Sequence, residues 1–213
     1  MKKTIVFLLA ILLAVASCFS FVGCAAAPAV EDIYDRVVEL IEASYEVNTV
    51  LYGPGLPVYQ TDSEYANIKY MYYDFDEKGY YEYVTEYSKF ASADQILAAA
   101  AKVYSAQYID EVLSVALFTG YTSDDGQGGS IYGMARYLED ETWIYQSTED
   151  NILYTAMRIY DYSTMQVISL GSSEACKVSM VSWLEDSPQE TEVIELRLVL
   201  QNGEWYFDSF TGA

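Results

Sequence analysis

Thirty-two carboxylates, 22 tyrosines, three cysteines and no histidine define the chemistry open to this 213-residue chain. Without imidazole there is no Ser-His or Cys-His nucleophile system and no histidine-bound metal. A cysteine attacks as its thiolate, which needs an activating base or a positive neighbour. Lys177 follows Cys176 directly, but adjacent residues of a strand point to opposite faces, so Cys176 reads as a buried structural thiol. Asp74, Asp76 and Gly79 occupy the first, third and sixth positions of a calcium loop, yet Lys78 stands at a ligand position and Thr85 where the bidentate glutamate belongs. The segment reads as a hairpin turn, and no metal or other cofactor is expected. "SDDGQGGS" lacks the Gly-Lys-Ser/Thr of a phosphate loop and reads as a surface loop. A tyrosine paired with an aspartate can move protons in a pocket, and a small-molecule enzyme of that kind is the alternative to a domain that binds without catalysing.

The N-terminus dictates where such a domain works. Lys2 and Lys3 precede the apolar run "TIVFLLAILLAVAS", the layout of a secretory signal. "FVGC" at Phe21 to Cys24 resembles a bacterial lipobox, whose cysteine is acylated and becomes the mature N-terminus; "VASC" at Val15 to Cys18 fits the same pattern. Cys24 is preferred, because "AAAPAVED" after it makes a tether whereas Cys18 would leave "FSFV" exposed. Residues 1–23 are then a signal peptide, 24–30 a lipidated cysteine with a short tether, and 31–213 a single domain. The membrane is the first partner, through more than one acyl chain, since one chain holds only marginally. Seven steps of chain reach roughly 20 Å, which keeps the domain close to an extracytoplasmic membrane surface.

Loss of Lys2 and Lys3 leaves nine basic residues against 32 acidic ones, a charge near −23. That excludes nucleic acid and charge-driven adhesion to anionic lipid, and it suits a basic partner. With Cys24 acylated no intrachain disulfide is available, so a hydrophobic core must hold the fold.

The elements that would position any site follow from periodicity. "EDIYDRVVELIEASYEV" puts Ile33, Val37, Leu40, Ile41 and Tyr45 on one helical face, with acidic residues in the first turn, and "LYGPGLPVY" ends the helix. "NIKYMYYDFDEKGYYEYV" predicts a hairpin turning through "DEKG", with Gly79 supplying a positive φ. Ser92, three residues before Gln95, predicts a capping box opening an alanine-rich helix, with another turn or two in "QYIDEVLSVAL". From "DDGQGGS" onward the pattern has period two: "IYGMARYLEDETWIYQS", "ILYTAMRIYDY", "CKVSMVSWL" and "TEVIELRLVLQNGEWYFDSF", the last with a hairpin at Asn202-Gly203. The expected class is α+β, an N-terminal helix and a second helical region packed on a curved antiparallel sheet.

That order of elements, with the closing "LVLQNGEWYFDSF", resembles the NTF2-like or cystatin-like lipoproteins of Gram-positive bacteria; "LYGPGLPVY" and "KFASADQILAAAAKVYSAQY" are similar to parts of uncharacterised members. The layout through "DDGQGGSIY" is similar to secreted inhibitors of cell-wall DL-endopeptidases, which implies a peptidase-inhibitor alternative. No catalytic residue carries over from the resemblance. Two binding modes are expected. A small ligand would sit between the first helix and the sheet, lined by Tyr45, Tyr52, Trp143, Tyr145 and Trp183. An envelope protein would meet the acidic surface, with Asp124 and Asp125 of the glycine-rich loop and the "YGPGLP" loop as contacts.

Overall fold

The computed structural model describes residues 26–59, 69–72, 78–114, 121–124, 130–133, 135–139, 141, 143–147 and 156–212. The signal, Cys18 and Cys24 lie outside these, as do Asp74, Asp76, Asp125 and most of the glycine-rich loop.

Helix α1 spans Val30–Leu51. Glu31 and Asp32 sit in its first turn, where the helix dipole favours negative charge, and the Asp32 carboxylate accepts from the Ala29 N–H at 3.1 Å. Its apolar stripe is buried: Ile33, Val37, Leu40 and Ile41 expose 1 % or less. Strands β1 (Lys69–Tyr72) and β2 (Lys78–Tyr83) follow. Helix α2 (Ala93–Ala100) starts at Ser92, whose hydroxyl accepts from the Gln95 N–H. The reciprocal half of the expected capping box is displaced by one residue, because Gln95 Oε1 accepts from the N–H of Ala91. Helix α3 (Ala106–Tyr108) runs without a break into a π turn, Ile109–Leu113.

Eight further strands complete the fold: β3 (Tyr121–Asp124), β4 (Ser130–Gly133), β5 (Tyr137–Glu139), β6 (Ile144–Ser147), β7 (Arg158–Ser169), β8 (Ala175–Leu184), β9 (Glu192–Gln201) and β10 (Glu204–Phe207). The protein is α+β, but its strands do not form the one sheet expected. They divide into a small antiparallel sheet ordered β1-β2-β6-β5, a larger antiparallel meander ordered β10-β9-β8-β7, and the ribbon β3-β4.

The larger sheet carries most of the core. Along β8, Cys176, Val178, Met180 and Ser182 are buried and alternate with half-buried residues, the pattern of a strand packed on one face. Leu196 and Leu198 of β9 join them. Helix α1 packs on this sheet and touches both edge strands, β7 and β10. The β9–β10 hairpin turns at Asn202 and Gly203, with φ of 54° and 86°. Positive φ at both central residues is the geometry that makes Asn-Gly the preferred hairpin pair. Gly79, in contrast, is not a turn residue: it lies within β2 opposite Met71.

Candidate functional site: a buried tyrosine network and an acidic groove

Between α1 and the larger sheet the sequence places polar groups where the stripe should be apolar. Ser44 and Asn48, one turn apart on the buried face of α1, are each 1 % exposed. A buried amide left unpaired is costly, so its partners matter. Asn48 Nδ2 donates to Thr211 Oγ1 at 2.7 Å, and Asn48 Oδ1 accepts from the Tyr104 hydroxyl at 2.5 Å. Tyr104 also lies 3.1 Å from Thr211 Oγ1, and the Tyr160 hydroxyl donates to the Thr211 carbonyl. The network therefore joins α1, the segment after α2, β7 and the C-terminal residues.

A second layer covers it. The hydroxyls of Tyr52 and Tyr108 are 2.8 Å apart. Phe210 tilts against Tyr52 with ring centres 4.1 Å apart, and Tyr104 and Tyr108 lie at 5.0 Å. Ser105 donates to Asp208 Oδ1 at 2.5 Å and accepts from the Tyr108 N–H, capping α3. Asp208 also pairs with Arg197 at 3.0 Å, so the carboxylate nearest these phenols already has two partners.

Burial raises the Tyr104 phenol, offset in part by its bonds to Thr211 and Asn48. Burial also raises Tyr52, with the neighbouring Tyr108 adding to it. Tyr108 rises chiefly by burial, although the Tyr52 hydroxyl opposes this and the charge of Asp208 adds to it. These phenols stay protonated at neutral pH. In that form they donate hydrogen bonds.

The residues expected to line one pocket are distributed over four places. Tyr45 is half-buried on α1 beside Tyr162, with burial raising both phenols. Tyr52 belongs to the network just described. Trp143 and Tyr145 gather around Tyr83 on the small sheet, with ring centres 5.7 Å and 4.7 Å from it. Trp183 follows Ser182 on β8 and so occupies the face of the larger sheet turned away from the core. Asp124 ends β3 opposite Ser130. Cys176 is fully buried in β8, and burial pushes its thiol up to about 11. Lys177 faces away from it and pairs with Glu195 at 2.7 Å.

The "YGPGLP" loop is held down rather than presented. Arg136 Nε donates to the Val50 carbonyl at 2.9 Å and its Nη2 donates to the Gly53 carbonyl, while the Tyr137 hydroxyl also reaches Val50. Gln146 accepts from the Leu56 N–H at 2.6 Å and donates to the Pro54 carbonyl at 3.1 Å. At the end of α1 the Asn48 and Thr49 carbonyls accept from the N–H groups of Tyr52, Gly53 and Gly55, and Arg136 and Tyr137 satisfy the Val50 carbonyl. Gly55, at φ 86°, leaves the room that Gln146 occupies.

Sequence reasoning missed Asn48, Tyr104, Tyr108, Thr211, Arg136 and Gln146. The available signal was Ser44 and Asn48, polar residues at helical spacing inside an apolar stripe. It also missed an open groove of about 440 Å³ between α2, α3 and the β9–β10 hairpin. Leu97, Ala98, Ala101, Ala106 and Ile109 form its apolar surface, with Asp110, Asn202 and Tyr206 at its polar margin. Gln201 Oε1, which accepts from the Ala106 N–H at 3.2 Å, ties the hairpin to α3 across it.

Among the described residues no cluster of carboxylates and cysteine is arranged to hold a metal ion, and no helix is long and apolar enough to cross a membrane. No protein-family model matches the chain, and no curated protein matches it in sequence.

Proposed function

We propose that the protein is an NTF2-like or cystatin-like lipoprotein of the extracytoplasmic face, anchored through Cys24, that binds a partner protein at the cell envelope and does not catalyse. The observation that carries the binding mode is how the space between α1 and the larger sheet is occupied. Val37, Leu40 and Ile41 of the helix meet Val178 and Leu198 of the sheet with none of these side chains exposed. The Asn48, Tyr104 and Thr211 bonds satisfy the polar groups among them. Recognition therefore falls to the outer surface, which without residues 1–23 belongs to a chain of net charge near −23. Such a field raises the rate of encounter with a basic protein and disfavours polyanions. In support of the fold type, α1 crosses a four-stranded meander and contacts both of its edges.

The test is the intact mass of the native lipoprotein, extracted in mild detergent, before and after non-covalent partners are stripped. The expected result is an acylated chain beginning at Cys24 that releases a second polypeptide. Release of a small molecule alone, or a bare chain from cells at native expression, would overturn the protein-binding reading. A mass that retains residues 1–23 would overturn the anchor.

A further inference from the structure

We propose that the groove between α2, α3 and the β9–β10 hairpin receives a lysine- or arginine-bearing segment of the partner protein, with Asp110 as the counter-charge. The inference rests on the surface-binding reading above and names the part of the surface that does it.

The recess exists because small side chains line it. Ala98 of α2, Ala101 just beyond it and Ala106 of α3 leave about 440 Å³ where larger residues would close the surface. Among the described residues Asp110 is the one charged side chain along the groove. It is exposed, and among the described residues no lysine or arginine pairs with it. Any occupant that covers the groove removes water from that carboxylate. An apolar or anionic occupant leaves it uncompensated, whereas a guanidinium or ammonium group restores its hydrogen bonds and charge. The apolar floor suits the methylene stem of the same side chain, which packs on apolar surface while its head stays polar.

The hairpin side of the groove supplies a second acceptor. Asn202 is held by the left-handed turn at the groove margin, and its amide makes no hydrogen bond among the described residues. Tyr206 adds an aromatic wall whose ring already carries Arg36 at 5.2 Å from its centre, so this surface tolerates a guanidinium. The π turn Ile109–Leu113 buries Ile109 and Leu113 while leaving Asp110 exposed beside the groove. π turns within helices are found frequently at functional sites.

The open form of the groove selects a protein over a free organic cation. Small-molecule sites enclose most of their ligand. A side chain presented by a partner arrives with flanking surface that covers what the groove does not, and the net charge near −23 supplies the long-range attraction.

The test uses isotope-labelled full-length protein in detergent micelles, titrated with three blocked tripeptides: acetyl-Leu-Arg-Leu-amide, acetyl-Leu-Glu-Leu-amide and acetyl-Leu-norleucine-Leu-amide. The arginine peptide should saturably shift the amide signals of Ala98, Ala101, Asp110 and Asn202, with at least fivefold weaker binding for Asp110→Asn and no saturation for Ala98→Trp. Unchanged signals for Asn48 and Thr211 verify that both variants are folded. Equal responses to all three peptides, or equal affinity for Asp110→Asn and the parent, would overturn the proposal. The same variants are carried through native mass measurement. A partner polypeptide retained equally by parent and both variants refutes the groove while leaving surface binding intact; absence of any polypeptide from the parent refutes the binding reading itself.

Discussion

The two four-stranded sheets of this protein are held to the same helix by opposite means. The larger one, β7 to β10, has strands of up to 12 residues and meets α1 through apolar side chains with almost no exposure. The smaller one has strands of three to six residues and is tied to the end of α1 largely by polar groups: Arg136, Tyr137 and Gln146 grip the carbonyls and N–H groups of Val50 to Leu56. Long strands bury enough area for the hydrophobic effect to fix them. Short strands bury less, and directional bonds to the Val50 carbonyl and to the loop after it make up the difference. Global stability should therefore be set by the larger sheet, and the local order of the small one by a few side chains.

The strongest way to break that contrast is Leu198→Ala. Leu198 has no exposure, and truncation should cost about 2–5 kcal/mol in urea denaturation. Leu138→Ala in β5, where the side chain is half-buried, should cost clearly less. Equal losses would mean that the two sheets share the load. Next in size is Arg136→Ala, which removes one charge-assisted bond to α1 and one to the loop after it and should cost about 1.5–3 kcal/mol. Hydrogen exchange should accelerate in β5, β6 and residues 53–58 while β8 keeps its protection. Uniform acceleration through β8 would show that the small sheet is not a separately anchored unit.

The smallest effect is a pH dependence. The Tyr52 and Tyr104 phenols are raised above their ordinary value of 10.0 by burial. In the unfolded chain they release protons near pH 10, while the folded network retains them. The stability they contribute is complete below about pH 10 and drains as the pH rises above it. Urea midpoints measured from about pH 9 to 11 should fall less steeply in Tyr104→Phe than in the parent. Parallel curves would remove Tyr104 from the network's energetics.

The elements whose reasons are local were legible in the sequence. The stripe of α1, its end at "LYGPGLPVY", the cap at Ser92 and the Asn-Gly hairpin depend on residues within a few positions of each other, and each is where periodicity and turn chemistry put it. The partition into two sheets was not legible, because it depends on β2 pairing with β6 across some sixty residues of chain. Gly79 looked like a turn residue by composition alone; its pairing with Met71 is a property of the register. Aromatic residues named as one pocket fell on separate faces for the same reason, since composition does not say which sheet a strand joins. The Asn48 network was hidden by distance: its partners Tyr104, Tyr160 and Thr211 lie from 56 to 163 residues away or bond through one another.

The alignment of α1 with β10 has a mechanical consequence. Arg36, near the start of the helix, donates to the Trp205 carbonyl, and Asn48, near its end, bonds to Thr211. The first turns of the helix therefore lie against β10 and its last turns against the residues that follow β10, so Val30 and Thr211 lie toward opposite ends of the helix. A pull between them acts along the helix axis, so that Ile33, Val37, Leu40 and Ile41 must all slide past the sheet together. Contacts loaded in shear share the force, whereas contacts peeled from one end yield in turn.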